Sequence, residues 1–150
     1  MRRTILLLLL ALATGWATAS AQAASLRGLS FGTVTSGTTT TVSKTSASAA
    51  QWRITGTFLF GGTFSLTLPS GLAGPGASIP VSFRTTDGQR NTVNNPAGGS
   101  SFNPNATQSI PILTLPATIY VWLGGSISPP LNQIPGGYTA PVVLTVTGLL

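Results

Sequence analysis

Histidine and cysteine are absent from this sequence, and aspartate and glutamate together contribute a single residue, Asp87. These gaps exclude most catalytic chemistry before any motif is sought. Without imidazole or thiolate there is no base poised near neutral pH, no sulfur nucleophile and no soft metal site. A paired-carboxylate mechanism needs two acids, and hard cations want several carboxylates, so Asp87, followed by Gly88, reads as a turn residue rather than a calcium ligand. A Ser/Lys pair remains formally open through Lys44. That lysine stands in a Ser/Thr/Ala-rich segment without a recognisable motif and reads as solvated. The Gly-rich stretch Gly71 to Gly76 lacks the Lys-Ser/Thr that follows in a phosphate-binding loop. No cofactor is expected, and the chain reads as non-enzymatic. With no disulfide to help, stability must come from core packing and strand pairing.

Charge is scarce as well: charged residues make up 5% of the chain, against roughly 25% in an ordinary globular domain. Polarity must come from Thr, Ser, Asn, Gln and backbone. The formal net charge of +6 includes Arg2 and Arg3, and the other cations, Arg27, Lys44, Arg53, Arg84 and Arg90, are scattered along the chain. Nucleic-acid binders cluster their cations on one face, so these read as solubilising charges and no nucleic-acid partner is expected. At 150 residues the chain has room for one domain with a sizeable core.

What is present begins with a signal-peptide pattern over residues 1–23. Met1-Arg2-Arg3 forms a positive start, Ile5 to Ala13 an apolar core, and Ala19-Ser20-Ala21 or Ala21-Gln22-Ala23 a small-residue cleavage site. The apolar run is interrupted by Thr14 and Gly15 and falls short of the ~20 residues a membrane helix needs. The expectation is export to the periplasm, cell surface or medium, with no membrane span after cleavage. Residues 24–150 then form the domain.

This domain alternates short apolar strands with turn residues and shows no helical period. Strands are expected at Leu29–Val34, Thr38–Ser43, Gln51–Phe58, Thr63–Leu68, Ile79–Phe83, Ile110–Leu115 and Thr118–Leu123. Gly61-Gly62 marks a hairpin between the third and fourth of these. Asn91 to Asn105 reads as a mobile surface loop. Thr118–Leu123 is apolar on both faces, as a central strand is. The strongest strand signal is the last: Val142, Leu144 and Val146 alternate with Val143, Thr145 and Thr147, and this strand is expected to sit centrally in its sheet. About seven or eight strands with frequent turn signals read as an antiparallel, immunoglobulin-like β-sandwich. A transmembrane barrel competes, but its strands need about 9 to 11 residues and most runs here are shorter.

The runs Leu29-Ser30-Phe31-Gly32-Thr33-Val34, Ile54-Thr55-Gly56, Leu66-Thr67-Leu68-Pro69 and Gly124-Gly125, together with Pro135-Gly136-Gly137-Tyr138 before Val142 to Thr147, resemble a bacterial DUF4402 domain. More distantly, the chain is similar to spore coat protein U and the chaperone-usher pilins. The resemblance implies an exported immunoglobulin-like sandwich with a structural or adhesive role at the cell surface, possessing protein subunits or surface components as partners. The cysteine pair of many pilin-like relatives is missing, and no strand is read before Leu29.

Four aromatic residues, Trp52, Tyr120, Trp122 and Tyr138, form a candidate platform for stacking sugar rings. Core packing explains them more economically, because Trp52 shares the face of Ile54 and Tyr120 and Trp122 sit in an apolar strand. Two readings follow: a structural or interaction protein working through backbone pairing at a sheet edge, or a small carbohydrate-binding module. Exposure of Trp52 or Trp122 favours the second, and an unpaired edge strand favours the first.

Overall fold

The computed structural model describes residues 22–148. The expected signal peptide lies outside these residues except for Gln22 and Ala23. The chain forms twelve strands among the described residues: β1 (Gln22–Arg27), β2 (Thr40–Val42), β3 (Ala50–Phe58), β4 (Gly62–Thr67), β5 (Gly71–Leu72), β6 (Ile79–Ser82), β7 (Gly88–Asn91), β8 (Ser100–Phe102), β9 (Gln108–Ile110), β10 (Leu113–Leu123), β11 (Gly125–Ile127) and β12 (Val143–Gly148). Every ladder between them is antiparallel. The all-β antiparallel sandwich expected from the sequence is what the chain forms, but the expected strand Ile110–Leu115 is divided at Pro111 between β9 and β10, and several strands have only two or three residues.

The strands make three sheets, ordered β1-β3-β10-β7-β8, β2-β11-β6-β5 and β12-β4-β9. Register decides which side chains meet. Ala50, Trp52 and Ile54 stand opposite Leu123, Val121 and Ile119, so these six share one face of the largest sheet. They join Phe58, Phe64, Phe102 and Ile110 in one buried cluster, with Leu66, Leu144 and Val146 packed against it. The rings of Phe64 and Phe102 meet edge to face at 5.3 Å, a favoured geometry for two aromatic quadrupoles. The core therefore lies between the five-stranded sheet and β12-β4-β9.

Two glycines route the chain. Gly61, at φ 79°, reverses direction after β3 and donates its amide to the Phe58 carbonyl at 3.0 Å. The reversal does not make the expected hairpin, because β3 and β4 belong to different sheets and the turn carries the chain across the core. At Gly124 the chain passes from β10 into β11 and so into the second sheet. A Cβ there would come within 2.4 Å of the Val42 carbonyl oxygen, a contact only glycine permits.

Three further expectations are corrected. Leu29–Val34 joins no ladder, since Gly32 takes φ 66° in its middle and interrupts the extended backbone. Residues 22–27, ahead of the first expected strand, pair with β3 as β1. The final strand is an edge: β12 pairs with β4 alone among the described residues, rather than lying at the centre of its sheet. Alternation on one buried face is common to edge and central strands, so the pattern could not separate them.

Candidate functional site

The five-stranded sheet also has an outer face, and its register places Ser101, Gln89, Trp122, Gln51 and Arg27 in one row across the strands. Trp122 occupies the middle of that row yet is 1% exposed. The segment 92–99 folds over it. Gln51 Nε2 donates to Asn94 Oδ1 at 2.6 Å, Gln89 Nε2 donates to the Pro96 carbonyl at 3.0 Å, and Asn91 Nδ2 donates to the Asn95 carbonyl at 2.7 Å. The buried amides of Gln51 and Gln89 are thus satisfied by the segment that hides them. The expected mobile loop is a tethered cover, and it explains why Thr118–Leu123 is apolar on both faces.

This arrangement disperses the four candidate platform residues. Trp52, 5% exposed, lies in the main core, and Trp122 lies beneath the cover on the opposite side of the same sheet. Neither indole offers a face to a sugar. Tyr120 is half-buried and stacked on Trp122, with ring centres 6.0 Å apart. Tyr138 is a brace: its hydroxyl accepts from the Gly76 amide at 3.0 Å and donates to the Ile134 carbonyl at 2.9 Å.

The polar residues with chemical potential serve as staples. Asp87 Oδ2 accepts the Arg84 amide at 2.8 Å, and the Asp87 amide returns a bond to the Arg84 carbonyl at 3.1 Å, as its turn reading requires. Lys44 is not simply solvated. Its Nζ donates to the Thr86 carbonyl at 2.7 Å and to Ser101 Oγ, joining three segments. Ser101 in turn donates to Gln89 Oε1 at 3.1 Å. The hydroxyl proton is directed to an amide oxygen and the lysine acts as donor, which is the reverse of what a Ser/Lys nucleophile needs. Among the described residues no three His, Cys, Asp or Glu side chains approach one another, and no helix is long and apolar enough to cross a membrane.

Three surfaces remain with the geometry of a site. The first is the edge of β12, which has no ladder partner but β4 among the described residues though β1 and β3 lie close to it, and whose register with β4 runs unbroken from Val143↔Thr67 to Gly148↔Gly62. Val143 (50% exposed), Thr145 and Thr147 project from its outer face, and Leu144 and Val146 are half-buried beneath it. The second is a cleft of about 650 Å3 between β6, β11 and the segments 29–36 and 133–142. A smaller cleft of about 340 Å3 lies where Arg90 and Asn91 approach Leu113 and Ile119. Compared with protein-family models, curated proteins and solved structures, the chain matches none.

Proposed function

We propose that this chain is an exported, non-enzymatic structural or adhesive protein that assembles by backbone pairing at a sheet edge, with β12 as the pairing strand. One observation carries this reading: β12 is a six-residue edge that lacks charge, proline and bulge, although β1 and β3 lie close to it. Protein edges are normally blunted by charge, proline, a bulge or brevity. Other edges of these sheets have such protection. β2, β8 and β9 have three residues each and β5 has two, and β1 carries Arg27 and a register break between Ser25 and Arg27. β12 holds no charged residue, no proline and no bulge, and its outward row is Val143, Thr145 and Thr147. A partner strand laid beside it gains main-chain hydrogen bonds and meets a β-branched surface suited to cross-strand contact.

The partners on this reading are further copies of the chain or other surface subunits. Sedimentation velocity and negative-stain imaging of purified protein test it. Wild type is expected to form concentration-dependent assemblies. Val143→Lys is expected to remain monomeric, with stability changed by no more than about 0.5 kcal/mol because the side chain is half exposed. A wild type that is monomeric at every concentration, or a variant that assembles equally well, contradicts the proposal.

A further inference from the structure

One end of the sandwich carries an inference independent of strand pairing. β3 and β10 span the largest sheet, from Ala50↔Leu123 at one end to Phe58↔Leu113 at the other. At the Phe58 end large apolar side chains stand in water. Leu59 and Phe60, in the passage from β3 to β4, are 46% and 70% exposed, and Ile112 and Leu115, around the start of β10, are 63% and 76% exposed. Register gathers them. Gly62 stands opposite Ile110 and Phe58 opposite Leu113, so the two segments leave the sheets side by side, and Leu115 lies where the register with β3 breaks between Leu113 and Ala117. Single exposed apolar residues need no explanation, but a contiguous group of four marks a contact surface.

Charge is sorted along the same axis. Arg27 pairs with Gln51, Asp87 holds the Arg84 amide and precedes Gly88, which pairs with Leu123, and Lys44 Nζ reaches the Thr86 carbonyl, so these four charged residues lie at the opposite end. Arg53 and Arg90 stand mid-sheet, opposite Tyr120 and Val121. No charged residue occurs from Ile54 to Phe83 or from Asn91 onward. The segments 58–62 and 110–117 contain one polar side chain, Thr114. A protein interface surrounds its apolar centre with a polar rim, which this end lacks. A lipid bilayer asks for the opposite: side chains that lose nothing on leaving water, and no charge carried in with them. The apolar run Ile5–Ala13 is also joined to the domain on this side, since Gln22 pairs with Thr55 toward the Phe58 end and residues 14–21 can span at most roughly 30 Å. We propose that Leu59, Phe60, Ile112 and Leu115 dip into the surface of a lipid bilayer and seat the sandwich on it by its charge-free end. The contact is apolar, so it holds on a zwitterionic surface as well as on an anionic one.

The test exploits the absence of cysteine, which lets Leu115→Cys carry a single environment-sensitive fluorophore on the purified full chain. Ile112→Cys repeats the measurement should the first variant fail to fold, and Ala47→Cys, exposed beside the start of β3, places the control at the charged end. On phosphatidylcholine vesicles in high salt, emission from the label at position 115 should shift to the blue and be quenched by spin-labelled lipid, while the label at position 47 stays in water. Phe60→Ser combined with Leu115→Ser should lower the fraction of the Ile112→Cys label in lipid at least tenfold, without lowering the unfolding midpoint, because both side chains are mostly exposed. The proposal is overturned if the labels at positions 112 and 115 stay in water, or if the control label is quenched equally. Insertion that persists in the serine variant overturns it too, since the run Ile5–Ala13 would then suffice. So does binding confined to anionic vesicles and abolished by salt, which is adsorption through the cations. A blue shift at position 115 that needs no lipid and grows with protein concentration would assign this end to a second copy instead.

Discussion

Trp122 shows how a single side chain can mislead or inform according to what lies above it. Its indole buries the kind of area that dominates core energetics, yet it points away from the main core and relies on the segment 92–99 for cover. Asn94→Ala is expected to cost about 1–2 kcal/mol, because the buried Gln51 amide loses its partner, and to accelerate amide exchange across 92–99. Denaturant unfolding and hydrogen exchange check both effects. On the core side, Phe64→Ala is expected to cost about 3–5 kcal/mol, since the ring is 1% exposed and meets Phe102. Leu144→Ala should cost about 1–2 kcal/mol, because Leu144 is half-buried on an edge strand. Equal losses in the two variants would place β12 deeper in the core than its exposure does. The aromatic residues were legible in the sequence as core or platform, and the core reading of Trp52 follows from its spacing to Ile54. The partner of Lys44 was not legible, because Ser101 lies 57 residues away and nothing local joins them.

Among the elements, pattern located strands better than it located their neighbours. β3, β4 and the second half of β10 stand where alternation and turn residues place them. Gly61-Gly62 marks a reversal, but a reversal serves a hairpin and a sheet-to-sheet crossing equally well, and here it serves the crossing. Leu29–Val34 alternates as a strand does, but a positive φ at Gly32 leaves it outside every ladder. β1 escaped notice because its side chains are nearly all exposed, so no apolar period betrays it. The element most dependent on one residue is the passage from β10 to β11. Gly124→Ala would press a methyl group against the Val42 carbonyl and the Lys44 amide, where backbone rather than a flexible side chain must yield. The expected cost is about 3 kcal/mol, at the upper end of overpacking effects, with loss of cooperative thermal unfolding as the visible result. A variant as stable as wild type would show that the β2 backbone is free to move aside.

For the whole molecule, the cations are almost unopposed by acids, so copies carry like charge and any assembly must outweigh that repulsion, which salt screens. The surface among the described residues carries apolar side chains such as Phe60, Leu115 and Leu131, and its longest edge strand without charge, proline or bulge is β12. Assembly through that edge predicts a specific change in the backbone. Amide hydrogen exchange of Val143–Gly148, followed as protein concentration is raised, tests it most directly. At low concentration only those amides directed toward β4 should be protected, and the amides directed outward should become protected as assemblies form. Outward amides that exchange equally fast in monomer and assembly would contradict the account, even if the protein associates.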